Sequence, residues 1–386
     1  MRTGATRGLR VTSLYLENWR NFTHVDVPLA RRVFLVGPNA SGKSNLLDVF
    51  RFLHEVVSVG GGFQEAVQKR GGVSRIRCLA ARRYSDVALR ASLGADDATP
   101  VWEYELRFKQ DNRQRPLVAR ELVRHDGEVI LQRPDEHDKD DPERLTQTYL
   151  EQVNANQGFR DVAEFFGSVR YHHLVPQLVR DPDRSVGRSH DPYGGDFLEQ
   201  IAGAPERTRK ARLQRIQHAL KVAVPQLTEL DLWRDDRGVP HLRGRYEHWR
   251  PQGAWQSEGD FSDGTLRLMG LLWALLDGAG PLLLEEPELS LHPGVVTYLP
   301  SMFYSIQRKA GRQVIVSTHS SELLLDQGIG LDEVLLLQPG SEGTSVHAAQ
   351  DISEIPELLS GGVNLPDAVM PRTAPRAAEQ LTLFGI

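Results

Sequence analysis

The most constraining stretch of the chain is Gly37-Pro38-Asn39-Ala40-Ser41-Gly42-Lys43-Ser44, with Asn45 directly after it. The apolar run RRVFLV precedes it and reads as a short buried strand. The segment SNLLDVFRFLHEVV follows, with apolar residues at helical spacing, and Gly60-Gly61-Gly62 ends it. Strand, glycine-bounded loop and helix in that order are the context that the G-x-x-x-x-G-K-S/T pattern requires. Gly37 and Gly42 let the backbone curl so that its N–H groups and the helix N-terminus face an anion. Lys43 then reaches the outer phosphates of a nucleotide, and Ser44 offers its hydroxyl to Mg2+. A chain built on this loop needs an α/β core, and ATP with Mg2+ is the expected ligand.

The remaining pattern agrees with such a core. LRVTSLYLENW and HVDVPL read as strands on either side of a turn at Arg20-Asn21. From Val73 to about Gln132 the text is strand-like, with a hairpin signal at His125-Asp126-Gly127, and it predicts a β-rich lobe. RPDEHDKDDPER reads as an exposed, charged insertion. RTRKARLQRIQHALKVAV predicts an amphipathic helix with a basic face, and LTELDLW with HLRGRYEHW a further hairpin. Trp233, Trp249 and Trp255 around that hairpin are expected in the core rather than as stacking platforms. From Phe261 onward helix and apolar strand alternate, as in a parallel sheet. No internal repeat and no heptad run is visible.

PLLLEEPE, residues 281–288, places two carboxylates at the end of a buried strand. Glu285 is expected to hold Mg2+, usually through water, and Glu286 to act as the base that polarises an attacking water. The same pair would also serve as caps before the next helix. VIVSTHS sets His319 just after another apolar strand.

With these in order, FSDGT at 261–265 resembles the signature of ABC ATPases, usually written LSGGQ, although Ser262 and Asp263 would equally suit a helix N-cap. The resemblance implies that Ser262, Asp263 and the Gly264 backbone contact the γ-phosphate held by a second subunit. Glu285 stands where ABC ATPases usually carry Asp. ELSLHP at 288–293 resembles the D-loop of the RecF, SMC and OLD-nuclease branch, and His319 its switch histidine. NWRNF resembles the first-strand motif of RecF and SMC heads, which would bring Arg20 and Asn21 near the nucleotide. LVPQ makes Gln177 the Q-loop candidate on Mg2+, with Gln64 and Gln68 as alternatives. The chain is thus similar to bacterial AAA-domain ATPases of the ABC/SMC/RecF-like superfamily, OLD-type but without Toprim. The 67 residues after His319 are expected to complete the head rather than form a nuclease.

That resemblance implies an α/β ABC-type ATPase head, a RecA-like parallel or mixed sheet with a β-rich lobe and a helical signature lobe. The expected organisation is one head over residues 1–367 and a flexible tail over 368–386. Within the head, 1–175 is the phosphate-loop half, 176–277 the helical and hairpin lobe, and 278–367 the half with Glu285, Glu286 and His319. It implies an ATPase that closes as a head-to-tail homodimer on ATP. The settings are DNA maintenance or anti-phage defence beside a separately encoded effector nuclease, or slow ATP-gated scaffolding.

A net charge of −5 gives no global footprint for nucleic acid, so any DNA contact must be local, and the basic helix from Arg207 to Lys221 is either such a patch or a solvated face. The single cysteine, Cys78, and the lack of a signal-peptide core or membrane-length apolar window predict a cytoplasmic protein without a membrane partner. Gln380, Leu381, Leu383 and Phe384 resemble the peptide by which bacterial proteins bind the β sliding clamp. The same residues could instead dock on the head or on its dimer mate.

Overall fold

A computed structural model describes residues 8–81, 86–95, 100–184, 191–249 and 254–374. The tail residues Gln380, Leu381, Leu383 and Phe384 lie outside them. In chain order the strands are β1 Arg10–Trp19, β2 Phe22–Pro28, β3 Arg32–Val36, β4 Val87–Gly94, β5 Pro100–Gln110, β6 Pro116–His125, β7 Glu128–Arg133 and β8 Arg170–His172. β9 Leu227–Arg234, β10 Pro240–Tyr246, β11 Ala254–Ser257, β12 Leu282–Glu285, β13 Val314–Thr318, β14 Val334–Gly340 and β15 Gly343–Ala348 follow.

The chain divides into two compact units, one drawn from Met1–Arg170, Ala279–Leu283 and Pro300–Ile386, the other from Tyr171–Gly278 and Leu284–Leu299. In the first, β2-β1-β4-β5-β6-β7 form an antiparallel sheet. Its last hairpin turns at Asp126 and Gly127, both with positive φ (48° and 84°), which suits the twist of a two-residue turn. A second sheet runs in the order β15-β14-β3-β13-β12-β8. β13 and β14 lie parallel to β3 on either side of it, and every residue of β3 and of β13 is buried. Burial on both faces is what the continuous apolar runs around Phe34 and Val316 require. The helix Lys43–Val57 buries Leu46, Leu47, Phe50 and Leu53, one stripe at helical spacing.

The segment expected as an exposed insertion is mostly exposed, but it is not a plain loop: it holds a short helix and buries Arg133 and Asp138. Asp135 caps the helix Glu136–Asp140, with a reciprocal bond between its side chain and Asp138. Asp138 and Glu121, both with fully buried side chains, share the guanidinium of Arg133 at 2.8 and 3.1 Å. Glu121 also accepts from the backbone N–H groups of Tyr149 and Leu150. The strand-like reading from Val73 is also corrected: Val73–Ile76 is a helical turn, and strand begins again at Val87.

In the second unit, β11-β10-β9 form an antiparallel sheet. The helix Glu206–Leu220 buries Leu213, Ile216 and Leu220, while Arg207, Lys210 and Arg215 stay exposed. The three tryptophans are not core residues: Trp233, Trp249 and Trp255 are 37%, 80% and 45% exposed. Trp233 stacks on His241, and Arg243 lies over Trp255, so Trp233 and Trp255 cover the outer face of the sheet. Alternation of the partner strand decides this, because Leu242 and Gly244 take the buried positions between Arg243 and its neighbours.

Candidate phosphate-loop and carboxylate sites

The phosphate loop leaves β3 and enters the helix Lys43–Val57 in the first unit. Two of its residues hold a positive φ, Ala40 at 60° and Gly42 at 98°. At Gly42 a Cβ would lie 2.2 Å from Asn21 Nδ2, so glycine is demanded by space as well as by conformation. Asn21 fills that gap and holds the loop. Its Nδ2 donates to the Ser41 carbonyl at 2.8 Å and to Thr344 Oγ1 at 2.7 Å, and its Oδ1 accepts from Asn45 Nδ2 at 2.9 Å. Asn45 is pinned further by the indole of Trp19, which donates to its carbonyl. Arg20 takes another direction, bonding the Arg75 carbonyl and sitting 3.6 Å from Asp48. Asp48 also takes both oxygens to the buried Arg70.

Lys43 is buried, and its ammonium reaches the carbonyls of Gly37 at 2.9 Å and Pro38 at 3.2 Å. Its third neighbour is His319 Nε2 at 2.7 Å, just beyond the end of β13. Pro38 is half-buried, Asn39 and Ala40 are exposed on the loop's outer arc, and Ser44 is exposed at the start of the helix. A curled backbone, a lysine inside it and an accessible hydroxyl on the first helical turn fit phosphate oxygens and a hydrated Mg2+.

In the second unit, β12 ends at Glu285, whose carboxylate accepts a hydrogen bond from the Tyr171 phenol. His173 Nδ1 lies 3.2 Å from the Glu285 carbonyl. Glu286 follows with φ 44°, and Ser290 with φ 62°, a left-handed backbone at two non-glycine residues of one turn. The helix Asp263–Leu276 begins beside that turn. Ser262 is its N-cap, accepting from the Thr265 N–H at 3.2 Å. At Gly264 a Cβ would stand 2.4 Å from the Ser290 carbonyl oxygen, so the start of the helix and this turn fit only with glycine between them. Asp263 pairs with Arg180 at 2.6 Å, and the same nitrogen of Arg180 donates to the Phe261 carbonyl at 2.7 Å. Burial holds the Arg267 guanidinium below its usual pKa, opposed by the charges of Asp263 and Glu286. His292 caps the next turn, its Nδ1 accepting from the Gly294 N–H.

Gln177 is exposed in the helical turn Pro176–Val179; strand β8 ends earlier, at His172, so LVPQ is not part of a strand. Of the alternatives, Gln64 spends its amide on the carbonyls of Pro116 and Thr146, while Gln68 is exposed. Tyr171, Arg180 and Thr344 were not singled out by the sequence. Each acts through a partner far away in the chain, and the YHH run before LVPQ was the available signal for the first. Among the described residues, no helix is long and apolar enough to cross a membrane.

A phosphate loop on a mixed α/β sheet, with an antiparallel sheet and a helix-and-hairpin lobe, defines an ABC/SMC-type ATPase head. More particularly, the chain belongs to the family described as "AAA domain, putative AbiEii toxin, Type IV TA system", whose model matches residues 32–326. Among curated proteins it is similar to the energy-coupling factor transporter ATP-binding protein EcfA2 of Bacillus cereus, 28% identical over 116 residues. That match covers 30% of this chain and 39% of the relative. The EcfA2 protein of Bacillus thuringiensis matches over the same shares. The chain thus spans about two fifths of the length of these curated relatives. In fold it is similar to an SmcHead bound to the C-winged helix domain of ScpA, with TM-score 0.52, 13% identity, and coverage of 87% of this chain and 96% of that one. A Smc head domain derived from Pyrococcus furiosus gives 0.51 at 11% identity, covering 91% and 100%.

Proposed function

We propose that the chain binds ATP with Mg2+ through residues 37–45 and hydrolyses it, closing as a head-to-tail homodimer when ATP is bound. The observation that carries this reading is the approach of Lys43 and His319 to 2.7 Å across 276 residues of sequence. Two motif residues that converge inside the phosphate loop support a γ-phosphate sensor. In this reading Lys43 balances the outer phosphates, Ser44 and Glu285 hold Mg2+, with Gln177 as a further ligand, and Glu286 takes the proton from the attacking water. Bound Mg2+ supplies charge stabilisation on the phosphates. Asn21 and Asn45 keep the loop in shape, while Arg20 braces the first helix through Asp48. Ser262 and the Gly264 backbone meet the nucleotide of the second copy, with Asp263 between them at the helix start.

The proposed setting is DNA maintenance or anti-phage defence with a separate effector nuclease. The exposed Arg207 and Arg215 offer a local contact for DNA phosphates, and the tail from Gln380 to Phe384 a ligand for the β sliding clamp. The decisive experiment replaces the base. Glu286→Gln is expected to retain ATP binding and accumulate a nucleotide-bound dimer on sizing with ATP and Mg2+, because binding contacts remain while water attack stalls. A variant that stays monomeric, or hydrolyses at the wild-type rate, overturns the reading. Stable dimers of the unmodified protein with negligible turnover, with or without DNA, would place it among ATP-gated scaffolds.

A further inference from the structure

The segment FSDGT departs from LSGGQ at Phe261, Asp263 and Thr265, and the acidic Asp263, where the signature has its first glycine, creates an electrostatic problem. Asp263 is the first residue of the helix Asp263–Leu276, a position where a carboxylate is favoured by the helix dipole. Yet in the proposed dimer this loop receives a polyphosphate from the other copy, and a bare carboxylate there would repel it. The structure holds an answer. Arg180, directly after the turn that bears Gln177, pairs with Asp263 Oδ1 at 2.6 Å and anchors the Phe261 carbonyl at 2.7 Å with the same nitrogen. The two side chains are 27% and 42% exposed, so the pair sits at the surface that an incoming phosphate would meet. Arg267, one turn further on, attracts Asp263 through space.

We infer that Arg180 is a positioning residue of the signature loop: it cancels the charge of Asp263 and fixes Phe261, so that an acidic loop can accept the partner copy's γ-phosphate. It also joins the Gln177 turn to the signature through a direct bond. The inference rests on the head-to-tail reading, and the experiment separates the two.

In the Glu286→Gln background, dimer formation is followed by sizing across an ATP series, and ATP affinity of the dilute monomer by equilibrium dialysis. Adding Arg180→Ala is expected to raise the ATP concentration needed for half-dimerisation by about tenfold or more, with monomer affinity unchanged. Adding Asp263→Asn to that variant is expected to restore dimerisation, because the uncompensated charge is gone. If Arg180→Ala lowers the melting temperature, Arg180→Gln keeps a donor for the Phe261 carbonyl and is expected to show the same defect and the same rescue. An unshifted ATP series, or a shift that Asp263→Asn does not relieve, overturns the role of Arg180 while the sandwich stands. Failure of Glu286→Gln alone to dimerise removes the sandwich, and the inference with it.

Discussion

The phenol of Tyr171 donates to one carboxylate oxygen of Glu285 and so tethers the side chain proposed to face Mg2+. The additional methylene of glutamate, compared with the aspartate usual in ABC ATPases, makes such a tether useful, because a longer side chain has more rotamers to lose. Tyr171→Phe is therefore expected to weaken the apparent Mg2+ affinity by about tenfold while leaving metal-free nucleotide binding intact. A Mg2+ titration with fluorescent nucleotide checks it, and an unchanged midpoint counts against the tether. The places of Lys43 and Ser44 at a helix start and of Glu285 at a strand end were legible in the sequence, because each lies in a local pattern of strand, loop and helix. Tyr171 and Asn21 were harder to place. Asn21 was expected near the nucleotide, and the structure sets it beneath the loop, where Gly42 leaves room and Thr344, 323 residues away, completes its bonds.

At the scale of elements, the antiparallel sheet and the segment after it are joined by the ion cluster of Arg133, Glu121 and Asp138. Burial pushes the Glu121 carboxyl above the usual carboxylate range, against the bonds from Tyr149, Arg133 and Leu150. Such a cluster contributes little compared with apolar packing, yet losing one member strands the others. Arg133→Ala is expected to destabilise the fold by about 3–5 kcal/mol. Urea unfolding measures this, and a loss below about 1 kcal/mol would show that water or relaxation replaces the guanidinium. The helix Glu136–Asp140 was hidden by composition: a run of charges reads as loop, although Asp135 and Asp138 stand at the spacing of a capping box. The exposed tryptophans were misplaced for the opposite reason. Their bulk argued for the core, whereas the period of β10 sends Arg243 and Arg245 outward, and Trp233 and Trp255 share that face through the register His241↔Trp233 and Arg245↔Trp255.

For the whole molecule, the proposed sharing of each nucleotide by two copies makes a prediction that no single-site model makes. Lys43→Ala should abolish ATP binding, and Ser262→Arg should bind ATP as a monomer but fail to close. Verified heterodimers of the two would hold one doubly defective site and one intact site, so partial ATPase activity should return. Its complete absence would count against shared sites. The experiment uses full-length chains for a reason that lies in the connectivity. The chain passes between its compact units at Arg170–Tyr171, Gly278–Ala279, Leu283–Leu284 and Leu299–Pro300. No single cut releases either unit. A gene fragment covering 171–299 would carry Leu282 and Leu283, both without exposed surface in the intact fold, as an unpaired sticky edge. Fragments cut at a single crossing are therefore expected to be insoluble.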